Sequence, residues 1–187
     1  MAKLYEEEWH DIFIKEFQKE SDRACVILSV AMLDLALETI LKARLVPTSS
    51  SEDELLEGAY APISTFSARI DLAHRIGLIS TQLCRDLHII RKIRNDFAHN
   101  ITGCSFEDTS VRSRIIELTR SSGLDKKLPE KRKQFPTECR GDFQMTVSWM
   151  LWYLWYLSQE VTSIKPATLE ESYWPKDKLV RVLKSED

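Results

Sequence analysis

Residues 22 to 45 constrain the fold more than any other stretch of this chain. Ala24, Ile27, Leu28, Ala31, Leu35 and Leu41 recur at helical spacing, yet they cover much of the helix circumference instead of a narrow stripe. A helix apolar nearly all round escapes water only at the centre of other helices. Ser21 stands where an N-cap belongs, and Pro47 with the run TSSSEDE ends the segment. The rest of the chain supplies the surrounding helices. Residues 5–20 place Trp9, Ile12, Phe13 and Phe17 on one side. Ser64 is the expected cap of a helix over 65–76 that stops at Gly77, and Ser80 that of a helix over 81–99. Further helices are expected over 108–121 and from Asp142 to about Ile164, with a short one from Glu52 to Gly58. The two prolines, glycines and basic side chains of 122–141 predict a loop, and 167–184 a loosely attached helix. Only five glycines and six prolines occur, too few for a design of many tight β-turns. The expectation is a single all-α domain of about five main helices, with its core over 5–165 and a C-terminal appendage over 166–187.

A net charge of −3 gives no global positive field, so any nucleic acid would have to meet a local patch. Cys25, Cys84, Cys104 and Cys139 are scattered, with no close pair of metal-ligand or redox spacing. A reduced cytoplasmic setting is the simplest reading. The acidic start MAKLYEEEWHD lacks the apolar core of a secretion signal, and the apolar run Val147–Leu157 is too short to span a bilayer. No membrane association is expected. His10 and His74 stand apart from other ligand types, and Gly77 has no companion glycines. Neither a metal site nor a phosphate-cradling loop is expected, and no cofactor is implied.

The helix over 81–99 ends in the hexapeptide RNDFAH, Arg94 to His99. On an ideal helix Leu83, Leu87, Ile90, Ile93 and Phe97 form one apolar arc. His88, Arg91, Asn95 and His99 form a polar stripe beside it, flanked by Lys92 and Arg85. Arg94 falls at the margin of the buried arc, about 140° from His99. Two readings of Arg94 stay open. It is half buried and paired with Asp34 or Glu38 of the apolar helix, as a buried guanidinium requires. Or it reaches round the helix to join His99. His99, in the last turn, is suited both to capping and to proton transfer near neutral pH. Metal-free RNA cleavage needs a base, an acid and a cation for the charged transition state; a His, an Arg and an orienting Asn supply most of that set.

The motif RNDFAH resembles that of HEPN-type helical domains. The longer stretches ESDRACVILSVAMLDLALETILKARLV, PISTFSARIDLAHRIGLIS and CRDLHIIRKIRNDFAH resemble the mannitol operon repressor-like (MltR-like) family in order and spacing. The resemblance implies an HEPN-like helical bundle that dimerises. It implies Arg94 and His99 as a catalytic pair with Asn95 adjacent, acting as a metal-independent endoribonuclease or toxin-like module that leaves 2′,3′-cyclic phosphate ends. The repressor name implies instead a non-enzymatic transcriptional regulator. The chain shows no helix-turn-helix with a basic recognition face, so such a regulator would act through protein contacts. A third reading is a plain helical dimerisation domain.

Three surfaces bear on the choice. His88, Arg91 and Lys92 are the expected RNA contacts beside the motif. Lys126, Lys127, Lys131, Arg132 and Lys133 form the most basic stretch, read either as a track for an RNA backbone or as a solvated loop. Trp149, Trp152, Tyr153, Trp155 and Tyr156 read as core or dimer seam ahead of a base-stacking platform. The partners expected are a second copy of the chain, RNA, and a regulatory protein or an antitoxin.

Overall fold

A computed structural model describes residues 17, 19–51, 53–100 and 103–168. The expected helices over 5–20 and 167–184 lie outside the described residues, apart from Phe17, which is buried, and from 19–20 and 167–168. Seven helices and no strand occur among the described residues: α1 (Asp22–Arg44), α2 (Phe66–Arg75), α3 (Thr81–His99), α4 (Thr109–Ser122), α5 (Leu124–Lys127), α6 (Pro129–Arg132) and α7 (Cys139–Glu160).

α1 packs on three other helices but is not enclosed all round: of the apolar residues that predicted a fully surrounded helix, Leu41 is buried, whereas Ile27, Leu28, Ala31 and Leu35 are exposed. The Ser21 hydroxyl accepts from the Ala24 N–H at 3.2 Å, satisfying one of the free donors of the first turn. Cys25, Val26, Val30, Leu33, Leu37, Ile40 and Leu41 are buried against α7, α3 and α2. By length and composition α1 is also apolar enough to cross a membrane, a property it shares with core helices. α7 runs beside α1 in the same direction. Arg140 pairs with Asp22 at 2.7 Å at one end, and Arg44 donates to the Thr162 carbonyl at 2.9 Å at the other. α3 runs opposite to α1, so that Arg23 near the start of α1 donates to the Asn100 carbonyl just past the end of α3. Phe97, Phe106 and Phe143 join α3, the following loop and α7 through two tilted ring contacts with centroids 5.4 Å apart.

Several expectations are corrected. Thr65, and not Ser64, caps α2, its hydroxyl accepting from the Ala68 N–H at 3.2 Å. Asp53 to Gly58 is a turn, closed by the Leu56 and Glu57 N–H groups on the Asp53 carbonyl. Residues 122–141 are not a plain loop. They hold α5 and α6, and Leu124 of α5 and Phe135 beyond α6 pack on Met145. The long final helix starts earlier and ends sooner, at Cys139 and Glu160. It starts earlier because Gly141 lets it approach the preceding chain: a Cβ there would lie 1.7 Å from the Pro136 carbonyl oxygen.

The largest correction concerns the buried arginine. Arg69 of α2, not Arg94, pairs with Asp34 and Glu38. Its Nη1 lies 2.9 Å from Asp34 Oδ1, a contact of charges without an aligned hydrogen bond, and its Nη2 lies 2.7 Å from Glu38 Oε2. Nη2 also donates to the Leu56 carbonyl at 3.0 Å and Nε to the Ile63 carbonyl at 3.2 Å. These contacts hold α2 across the C-terminal half of α1. They surround with acceptors and negative charge a guanidinium that is only 7% exposed.

Candidate functional site

α2 and α3 form an antiparallel pair joined through Gly77, whose φ of 73° makes the turn possible. The Ser80 hydroxyl caps α3 by accepting from the Leu83 N–H at 3.1 Å. Contacts between His74 and Thr81 at 3.1 Å, and between Asp71 and His88 at 3.0 Å, set the alignment. α2 has ten residues and α3 nineteen, so α2 covers only the first half of α3. Beyond that point no described helix continues α2 along the slot between α1 and α3. Ile27, seven positions before Asp34 on the same side of α1, is exposed, and so is Arg94 on α3. With α2 ended, Arg94 meets solvent although it sits at the margin of an apolar arc.

The hexapeptide divides between core and surface. Phe97 is fully buried. Asp96 pairs with Arg114 and so ties α3 to α4. Arg94 Nη1 donates to Asn95 Oδ1 at 3.2 Å. Asn95 and His99 line an open depression of about 520 Å³ together with Asp96, Asn100, Cys104, Asp108 and Ser110. Arg94 does not line it but reaches its edge through Asn95. Two carboxylates share this space with His99. The Asp108 carboxyl is held below its ordinary range, first by the Ser105 backbone N–H and then by the Cys104 thiol. Burial, followed by that carboxylate, pushes the Cys104 thiol up to about 11, the reverse of what a nucleophilic cysteine needs.

The remaining expected contacts scatter. His88 and Arg91 are half buried and Lys92 is exposed. His88 is engaged by Asp71. Lys126, Lys127, Lys131 and Lys133 are exposed, with Lys133 paired to Glu130 at 2.7 Å. Arg132 is held by Asp142 at 2.8 Å and by the Phe135 and Pro136 carbonyls. None of these residues lines the depression that holds His99.

The aromatic helix also divides. Phe143, Val147, Met150 and Leu154 form its core stripe. Trp149 and Tyr156 are exposed, and Trp152 packs its ring between theirs, with centroids 4.8 Å and 5.9 Å away. On the neighbouring α1, Leu28 and Leu35 are exposed, the latter at 63%. Asp86 is a functional-looking residue with a structural job. It is 3% exposed and accepts from Gln82 and from the Ser121 hydroxyl of α4 at 2.6 Å. Its charge, inside the arc of Leu87 and Ile90, was the only sign of this in the sequence.

No protein-family model matches the sequence, and no curated protein matches it. Two solved structures share the fold at low identity. One is a chain of the X-ray structure of the MtlR–HPr complex from Escherichia coli, at 16% identity and a TM-score of 0.57, covering 78% of this chain and 98% of that one. The other is the crystal structure of YggD from Shigella flexneri, described as a possible transcriptional regulator, at 17% identity and a TM-score of 0.55, covering 87% of this chain and 99% of that one. The fold is therefore an all-α bundle of the MtlR and YggD kind.

Proposed function

We propose that this chain is a non-enzymatic regulator that acts by binding another protein. The observation that carries the reading is the outward face of α1 and α7. Leu28, Leu35, Trp149 and Tyr156 are large, apolar and exposed on two helices that lie side by side. Such groupings on a protein surface mark contact sites, and aromatic residues dominate their energetics. The likeness to MtlR, whose structure is of a complex with HPr, makes HPr the first partner to test. Titration calorimetry of the full chain against HPr is expected to give saturable binding. Leu35→Glu and Trp149→Glu should each weaken it at least tenfold. Absence of binding, or full affinity in both variants, would remove HPr or this face from the reading. Sedimentation of the chain alone tests whether a second copy uses the same surface.

A second reading keeps the HEPN-type ribonuclease. It is favoured by the row Arg94–Asn95–His99, which holds a cation, an amide and an imidazole within reach of one depression. It is disfavoured by Asp96 and Asp108 in the same space, since carboxylates repel a phosphodiester. Incubating RNA with the wild type and His99→Ala decides it. Cleavage that depends on His99 and leaves cyclic phosphate ends would establish the nuclease, and RNA left intact by the wild type would exclude it.

A further inference from the structure

We propose that Asp71, Cys84 and His88 form a binding site for a divalent metal of the zinc class at the seam of α2 and α3. Cys84 and His88 stand one helical turn apart and project from the same face of α3. Asp71 approaches them from α2, and one ligand atom from each of the three lies within 4.8 Å of the other two. The antiparallel packing of the two helices creates this grouping. The Cys84–His88 step of four is visible in the sequence, but the third ligand comes from another helix, so no complete metal signature can be read there.

The donor set is a sulfur, a ring nitrogen and a carboxylate oxygen. That mixture suits Zn²⁺ and its spectroscopic substitute Co²⁺, and suits poorly the all-oxygen preference of Mg²⁺ or Ca²⁺. With bonds of about 2.0 to 2.3 Å, tetrahedral zinc spaces its ligand atoms about 3.3 to 3.7 Å apart. The Asp71–His88 contact, at 3.0 Å, must open slightly, and no pair exceeds 4.8 Å, so the others must close by at most about 1.5 Å. Asp71 is 61% exposed at its side chain and free to make that adjustment by rotation. A thiolate and a carboxylate together balance the charge of a dication.

His88 directs Nε2 at Asp71, which makes Nε2 the candidate ligand atom, while its Nδ1 is buried and meets no hydrogen-bonding group among the described residues. Three protein ligands leave the fourth position to solvent, the arrangement of an open metal site. Binding forms the metal–sulfur bond and releases the thiol proton of Cys84 to solvent.

The test is a Co²⁺ titration of the full chain under reducing conditions, read by the thiolate-to-cobalt charge-transfer band in the near ultraviolet. One equivalent is expected to saturate the band, and Zn²⁺ to bleach it. Cys84→Ser should abolish it, while Cys104→Ser and Cys139→Ser should leave it intact. Asp71→Asn alters an exposed side chain and keeps the fold, as circular dichroism will verify, and should weaken Co²⁺ binding at least tenfold. His88→Ala should do the same. The proposal is overturned if no band forms at millimolar Co²⁺, if the band survives Cys84→Ser, or if Asp71→Asn binds as tightly as the wild type. The readout is independent of HPr and of RNA, so its result leaves the regulatory reading untouched.

Discussion

The two halves of α3 carry similar polar side chains and meet different surroundings. In the first half, α2 and α4 close over the helix. Asp86 is buried against Ser121, and Asp71 faces Cys84 and His88. In the second half, α2 has ended. Arg94 and His99 are exposed, although Phe97 between them is fully buried. A polar residue on a helix is thus a brace or a free surface group according to what lies opposite, and its own chemistry does not decide which. The two arginines make the same point. Arg69 and Arg94 both border apolar stripes, yet one is clamped by two carboxylates and the other bonds only its neighbour's amide in the described contacts.

Substitutions that strip α2 from the enclosed half should break this contrast most strongly. Arg69→Met leaves Asp34 without its partner and Glu38 with Lys42 alone, and a broken buried pair costs about 3 to 5 kcal/mol. Both carboxylates keep some exposure, so a loss near 3 kcal/mol is expected, read as a lower urea midpoint at unchanged slope. A neutral result would mean that hydrophobic packing alone holds α2 in place. Asp86→Ala comes next. It removes the acceptor of the Ser121 hydroxyl proton at the α3–α4 seam, leaves Gln82 only its bond to Ser121, and should cost about 1 to 3 kcal/mol. Arg94→Ala and His99→Ala should each stay within about 0.5 kcal/mol of wild type, since both residues are exposed. A loss of several kcal/mol at Arg94 would show that it is a brace after all. Smallest of all is the chemical response of Cys104. With its thiol pushed up to about 11, its alkylation at neutral pH should be slow and should rise about tenfold per pH unit below that value, as mass spectrometry of labelled protein will register.

Much of the fold was legible because helix signals are local. Ser21 and Ser80 cap where expected, and α1, α3 and α4 fall within a residue or two of their expected bounds. The misreadings have local causes too. Ser64 and Thr65 are adjacent hydroxyl residues, and only the backbone geometry selects Thr65. The stretch 122–141 carries loop-like prolines and glycines. Yet Pro129 begins a helix, Gly123 ends α4 in the left-handed region, and Gly141 lies inside α7 at a close approach. The candidate site was legible only in part. The hexapeptide is visible in the sequence, and its Asn95 and His99 do share a face. Arg69 and Asp71 gave no signal of their roles, because their partners lie on other helices.

By itself the sequence determined that this chain builds helices, where they start, and the inward arc of α3; on α1 it did not mark the inward face, since Ile27, Leu28, Ala31 and Leu35 are exposed. Those properties follow from periodicity and capping, which are interactions within a few residues. Only the tertiary structure decided which arginine meets Asp34 and Glu38, which half of α3 is covered, and which side chains converge on His88 and His99. The length of α2 against α3, and the antiparallel alignment that Gly77 permits, fix those outcomes. They are relations between elements that no single stretch of sequence contains.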